Sequence, residues 1–230
     1  MKKINTIFIE NKNYLSAVDM IAEITKSLPE QLFVTNKILS SNKNKNSSKI
    51  TIILQCIDMA DVAIIKIYNN IDTIPEELIY LSQHHENHYF YQDCYLGHCC
   101  SGKFNISIIK CKKADGDISN LSMTINDYNN LDDAITDELF RMHENGLVHM
   151  DIKTTNILYK KYSTGIKFGL CDFELVNNMN IQINNIFGRY YYKLYHSVIP
   201  HTYTDTFENY AFGKTLDLMK NNKKIKYNSI

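Results

Sequence analysis

Side chains that bind cations and move protons are concentrated in one stretch of this 230-residue chain, residues 149–158. Within it, Asp151 and Asn156 lie five residues apart, with Lys153 between them. A second aspartate, Asp172, follows sixteen residues after Asn156. Carboxylate and amide oxygens are ligands that Mg²⁺ prefers, and a carboxylate can also accept a proton from a hydroxyl group. Together with the lysine beside them, these groups could bind a divalent cation, accept a proton and hold a negatively charged ligand.

Predicted secondary structure places these side chains near one another. Residues 131–145 alternate apolar and acidic residues at helical period, and the helix should end at Asn145–Gly146, a typical C-cap pair. Short strands are predicted after the first cluster, at 156–159 and 165–170. The hairpin that they form should bring Asp172 back towards the first cluster.

The first half of the chain is predicted to be mainly β-structure. Strands are expected at 32–39, 49–57, 61–68 and 104–111, and a polar loop at 40–48. Helices are expected at 14–28, for about three turns from Pro75, and at 208–221. The change from strands to helices near residues 111–117 predicts two domains, 1–112 and 113–230.

The segment His149–Leu158 resembles the catalytic loop of protein kinases, H-R-D-L-x-x-x-N, and residues 171–174 resemble their D-F-G motif. The resemblance covers about residues 35–220. It implies an α+β, bilobal, protein-kinase-like fold. The small lobe would be an antiparallel sheet with one main helix, and the larger lobe would be mainly helical and truncated after the helix that kinases call αF.

The same resemblance implies a Ser/Thr protein kinase that transfers the γ-phosphate of ATP to a protein hydroxyl. Asp151 would be the catalytic base, and Lys153 would lie against the γ-phosphate, as in Ser/Thr kinases. His149 opens the motif and is counted with the catalytic residues. Asn156 and Asp172 would hold Mg²⁺.

Further matches imply where ATP would bind. Residues 62–66 resemble the kinase motif V-A-I-K, so Lys66 would contact the α- and β-phosphates and pair with Glu77 on the next helix. Backbone groups of residues 111–115, beginning at Cys111, would bind adenine. ATP and Mg²⁺ are expected in the cleft between these groups and the two metal ligands. Glu208 replaces the aspartate that braces the kinase catalytic loop.

Several positions depart from the kinase pattern. Residues 1–96 contain no glycine, so the loop at 40–48 lacks the glycines that let backbone N–H groups approach phosphate. Met150 replaces the arginine that pairs with an activation-loop phosphate, and Glu174 replaces the glycine of D-F-G. Such reductions are similar to the compact kinase-like proteins of large DNA viruses. They leave two alternatives open: a weak or inactive pseudokinase that acts as a scaffold or decoy, and a small-molecule kinase.

Composition excludes some classes of function. The 25 basic and 25 acidic residues cancel, so no basic excess predicts a nucleic-acid partner, and no apolar run is long enough for membrane insertion. Six irregularly spaced cysteines without a C-x-x-C pair favour free thiols in a reducing, cytoplasmic setting, which is the host cytoplasm for a viral protein. Potential zinc ligands are clustered between His84 and Cys100, at a spacing that matches no zinc motif.

Overall fold

The structure, a computed structural model, describes residues 5–9, 34–43, 49–56, 60–69, 76–99, 104–182, 202–221 and 225–226. The predicted helix at 14–28, the tyrosines at 190–195 and residues 44–48 of the predicted loop lie outside these ranges.

The chain divides into two compact units. The first comprises Met1–Glu86 and Phe90–Lys113, and the second comprises Asn87–Tyr89 and Ala114–Ile230. The main division therefore follows Lys113, at the end of a strand. The short segment Asn87–Tyr89 belongs to the second unit because it is bonded to a helix there, as shown below.

Among the described residues, the first unit holds a six-stranded sheet in the order β1-β5-β6-β4-β3-β2. β1 pairs with β5 in parallel, and all other neighbours are antiparallel. The central strands are rich in isoleucine, a β-branched residue that packs well on a pleated surface. The strands are β1 (Asn5–Ile9), β2 (Val34–Lys43), β3 (Lys49–Cys56), β4 (Asp61–Asn69), β5 (Tyr91–Cys99) and β6 (Phe104–Lys112).

Three features of this sheet differ from the sequence prediction. β2 continues to Lys43, although a loop was predicted from Ser40, because its backbone stays in register with β3 from the Ser40–Ile53 pair to the Lys43–Ile50 pair. Backbone pairing does not depend on the polar side chains that indicated a loop. β1 was not predicted, since it offers an apolar run of only three residues, Ile7–Ile9. β5 was not predicted either, because it contains Asp93 and Gly97, residue types that are depleted in strands.

Helix α1 (Glu76–His84) follows β4 and contacts β5 within the first unit. It begins one residue after Pro75, close to the predicted start, with two glutamates in its first turn. Its buried residues include Leu78 and Leu81, which join apolar strand residues in the core of the unit. That core includes Leu54, Ala63, Ile65, Phe90, Ile108 and Ile109.

The described part of the second unit contains two α-helices, α2 (Ile125–Glu144) and α3 (Asp205–Asn221), which contact each other. α2 begins six residues before its predicted start, because Thr124 and Asp127 form a reciprocal capping box. Its buried residues recur at helical spacing and form the centre of the core of this unit. They are Tyr128, Leu131, Ile135, Glu138, Leu139 and Met142.

Short strands complete the second unit. They pair as a three-stranded sheet, β11-β10-β7, and as three two-stranded ladders, β9 with β12, β13 with β14, and β8 with β15. The strands are β7 (Gly116–Asp117), β8 (Met123–Thr124), β9 (Leu147–Val148), β10 (Ile157–Tyr162), β11 (Gly165–Leu170), β12 (Asn177–Asn178), β13 (Ile181–Gln182), β14 (Thr202–Tyr203) and β15 (Ile225–Lys226). The predicted hairpin preceding Asp172 is confirmed as β10–β11. None of the helices described is both long and apolar enough to cross a membrane.

Candidate active site

The loop after β9 closes on itself through the side chains that the sequence singled out. Asp151 is buried, at 8% exposure. Its Oδ2 accepts hydrogen bonds from Lys153 Nζ and from Asn156 Nδ2, each at 2.7 Å. Asn156 Nδ2 also donates to the Asp151 backbone carbonyl at 3.0 Å. Two donors thus fix the Asp151 carboxylate, as a proton acceptor at a defined position requires.

His149 is fully buried and connects this loop to the segment around Asp172. Its Nδ1 accepts the Asp151 backbone N–H at 3.3 Å, so Nε2 carries the hydrogen and donates to the Cys171 carbonyl at 3.1 Å. Burial lowers the pKa of His149, although the charges of Glu208, Asp151 and Asp172 act in the opposite direction. A neutral imidazole satisfies both hydrogen bonds.

Glu208, in the first turn of α3, is fully buried and binds four donors. Oε2 accepts the His149 backbone N–H at 3.1 Å and contacts His143 Nε2 at 2.9 Å. Oε1 accepts the Met150 backbone N–H at 2.7 Å and the Tyr203 hydroxyl at 3.3 Å. The predicted brace of the loop by Glu208 is therefore confirmed. Sequence reasoning missed His143 and Tyr203; His143 had a signal, since it lies on the predicted helix six residues before His149.

Met150 has a positive φ of 66° and is 2% exposed. This left-handed conformation costs a non-glycine residue about 1–2 kcal/mol. The bond from the Met150 N–H to Glu208 offsets part of that cost. A buried methionine here offers no positive charge to a phosphate group.

Asp172 follows β11 and also has a positive φ, 66°. The residue before it, Cys171, donates its backbone N–H to the Asn156 carbonyl at 2.9 Å. The residue after it, Phe173, is fully buried, with its ring centroid 4.8 Å from that of His149. The two predicted metal ligands thus lie on backbone segments that are hydrogen-bonded to each other.

The donor set at these two residues fits Mg²⁺. Asn156 directs its amide nitrogen to Asp151, which leaves its side-chain oxygen Oδ1 as the ligand atom. Asp172 supplies a carboxylate. Magnesium takes oxygen ligands and is usually held by one or two carboxylates, with water and substrate phosphates completing its coordination.

In the first unit, Lys66 on β4 and Glu77 on α1 form a buried ion pair. Lys66 Nζ lies 2.5 Å from Glu77 Oε2, and the residues are 5% and 1% exposed. The structure thus brings together the two side chains predicted to pair, in spite of the short connection between them. A lysine held in this way presents a fixed positive charge, which suits phosphate binding.

The predicted adenine segment, residues 111–115, uses several of its N–H groups within the protein. Cys111 is buried in β6, opposite Val62. Lys112 N–H donates to the Phe90 carbonyl at 2.7 Å, and Lys113 N–H donates to the Ala60 carbonyl at 2.7 Å. Asp115 N–H donates to the Tyr159 carbonyl at 2.9 Å. Adenine would therefore have to bind other backbone groups of this segment or displace one of these bonds.

The cluster of potential zinc ligands is dispersed where it is described. His84 stacks on Tyr80, and His85 Nδ1 bonds the Leu81 carbonyl. Burial, with smaller effects from Asp93 and Glu77, raises the pKa of Cys94 to about 12, so its sulfur is a protonated thiol near neutral pH. The described residues contain no group of three or more His, Cys, Asp or Glu side chains that could hold a metal ion.

The two units and the loops around Asp151 and Asp172 define a protein-kinase-like fold. A solved structure with this fold, the kinase PK-1 of Cydia pomonella granulovirus, matches 79% of this chain and 68% of its own, with a TM-score of 0.56 and 17% identity. The similarity confirms the fold implied by the sequence motifs. No family model matches the sequence, and no curated protein matches it.

Proposed function

We propose that this protein is an ATP-dependent Ser/Thr protein kinase that acts on protein substrates in the cytoplasm. The observation that carries the proposal is that Lys153 and Asn156 both donate hydrogen bonds to the Asp151 carboxylate. Glu208 holds the start of the same loop by accepting two of its backbone N–H groups. The granulovirus protein with the same fold is a kinase by name, which supports a phosphotransferase. A viral origin would place the activity in the host cytoplasm.

Each residue of the proposed site has a distinct role in the reaction. Asp151 accepts the proton of the substrate hydroxyl as the hydroxyl oxygen bonds to the γ-phosphorus of ATP. The bond from that phosphorus to the oxygen shared with the β-phosphate breaks, and ADP leaves. Lys153 holds the Asp151 carboxylate and offers positive charge to the transferring phosphoryl group. Asn156 and Asp172 would hold Mg²⁺, which would supply positive charge to neutralise the phosphate oxygens. Lys66, fixed by its ion pair, contacts the α- and β-phosphates.

The acceptor is proposed to be a serine or threonine hydroxyl because Lys153 lies two residues after the base. Its ammonium group is 2.7 Å from Asp151 Oδ2 and its side chain is 30% exposed, so an incoming acceptor can reach it. A small-molecule hydroxyl would meet the same groups, and substrate profiling decides between the two.

The test is transfer of labelled phosphate from Mg·ATP to the protein itself and to a generic basic protein. Asp151→Ala and Asp172→Ala should each abolish transfer. Asp133→Ala is the matched control, because this aspartate is exposed on α2 and touches none of these groups. Transfer that survives in both active-site variants would refute the proposal.

A second candidate, a pseudokinase that binds partners without catalysis, is favoured by one observation. Lys113 N–H, in the predicted adenine segment, is already donated to the Ala60 carbonyl. If adenine binds through the Lys113 N–H, it must displace the hydrogen bond to the Ala60 carbonyl, and this competition weakens nucleotide binding. Thermal shift with Mg·ATP in the same samples separates the candidates: a kinase shows both binding and transfer, and a pseudokinase shows no transfer to any tested substrate.

A further inference from the structure

Glu138 is a buried carboxylate on α2 that has no role in the reaction described above. It is 3% exposed. Its Oε2 accepts the Leu170 backbone N–H at 2.7 Å and lies 3.7 Å from His88 Nδ1. Its Oε1 accepts the Tyr89 backbone N–H at 3.2 Å. Each carboxylate oxygen is thus committed to a different backbone N–H group.

The two backbone groups belong to different segments. Leu170 ends β11 and lies two residues before Asp172. Tyr89 belongs to the segment Asn87–Tyr89, which α2 also holds through a hydrogen bond from Arg141 Nη2 to the Asn87 carbonyl at 3.3 Å. These bonds explain why three residues between α1 and β5 belong to the second unit.

His88, which lies beside Glu138, contacts the residue that follows Asp172 in the sequence. Its ring centroid lies 4.4 Å from that of Phe173, the residue that follows Asp172. Both rings are buried, with His88 at 3% and Phe173 at 0% exposure. Glu138 therefore bonds directly to the backbone before Asp172 and lies beside His88, whose ring packs against the residue after it.

Asp172 needs such support because its own backbone is strained. A non-glycine residue at positive φ costs about 1–3 kcal/mol and persists only where the surrounding structure determines it. From this geometry we propose that Glu138 is a positioning residue for Asp172, and that it sets the position of this metal-binding carboxylate by fixing Leu170 and, through His88, Phe173. The metal-related part of this proposal rests on the proposed kinase function.

The first test needs no nucleotide. Glu138→Gln is isosteric, but an amide has one acceptor oxygen, so either Leu170 or Tyr89 faces a nitrogen donor instead. Amide hydrogen exchange, measured by NMR on the full chain, should accelerate about tenfold or more at one of these two positions, beyond the change in global stability. Ile135→Val is the control, since it removes one methylene from the same buried helix face without touching either N–H group. Unchanged exchange at both amides would overturn the proposal.

The second test is a titration with Mn²⁺ and a non-hydrolysable ATP analogue, followed by paramagnetic broadening of the Asp172 amide. Glu138→Gln should require about tenfold more Mn²⁺ than Ile135→Val, and in the kinase assay excess Mg²⁺ should restore most of its maximal rate. Equal Mn²⁺ affinity in the two variants would refute the positioning role even if exchange accelerated. A wild-type protein that binds no Mn²⁺ would refute the proposed function, and with it the metal-related part, while hydrogen exchange would still decide whether Glu138 holds the strand.

Discussion

Replacing Glu208 with glutamine should destabilise the protein by an amount that follows from its contacts. Each oxygen of Glu208 accepts one backbone N–H, from His149 and from Met150. Glutamine keeps one oxygen, and its nitrogen then faces a backbone N–H that cannot turn away. One buried unsatisfied N–H costs about 1–3 kcal/mol, and loss of charge from the remaining bonds costs about 1 kcal/mol more. The expected loss is therefore about 2–4 kcal/mol, against a total stability of about 5–15 kcal/mol.

Urea unfolding followed by circular dichroism measures this loss, and the slope m should not change. Asp217→Asn is the matched control, since it makes the same carboxylate-to-amide change at an exposed position of α3. The control should stay within about 0.5 kcal/mol of wild type. A Glu208→Gln variant as stable as that control would refute the conclusion that this carboxylate holds the backbone at His149 and Met150.

Three further predictions follow from buried groups. Lys66→Met and Glu77→Leu should each lower the free energy of unfolding by about 3–5 kcal/mol, because each leaves a buried unpaired charge. The double variant should lose far less stability than the sum of the losses in the two single variants. Additive losses, measured by urea unfolding, would contradict the ion pair. Because burial lowers the pKa of His149 in the folded state, the unfolded chain binds the proton more tightly. The stability that neutral His149 contributes should be complete above a pH of about 6.5. Below that pH the free energy of unfolding should fall, by up to about 1.4 kcal/mol per pH unit. Urea unfolding at two pH values should show a smaller fall in His149→Asn than in wild type, and equal falls would argue against a neutral buried histidine. Finally, the Cys94 thiol, with its pKa raised to about 12, should resist iodoacetamide at pH 8 in the native protein and react once unfolded, as peptide mass spectrometry can show. Labelling of Cys94 at equal rates in both states would contradict its burial.

The candidate catalytic loop was largely predictable from the sequence because its side-chain contacts join residues that are close in the sequence. Asp151, Lys153 and Asn156 lie within six residues of the chain, and the resemblance of this segment to the kinase loop predicted that they belong to one site. The hairpin before Asp172 was predictable for a similar reason, since β10 and β11 are adjacent in the sequence and read as β-branched and aromatic strands. The pairing of Lys66 with Glu77 came from the resemblance to kinases, and the structure places the two side chains in contact.

Interactions between distant residues were not predictable in the same way. Glu138 looked like one acid among several on an amphipathic helix, and its backbone partners lie 32 and 49 residues away. Tyr203 carried no pattern at all. The errors in predicting the sheet arise from backbone pairing: β2 extends through polar residues, and β1 joins the edge of β5. Hydrogen bonds between main chains do not depend on side-chain periodicity, which is the signal that the prediction used.

The most direct measurement of the central claim is steady-state kinetics of phosphate transfer by Asp151→Asn, compared with wild type at saturating Mg²⁺. As the general base, Asp151 should contribute about 10²–10⁴-fold to kcat, while the KM for ATP should change little. A kcat lowered to this extent at constant KM is the result that the account predicts. Phosphate transfer at an unchanged kcat in Asp151→Asn would contradict it.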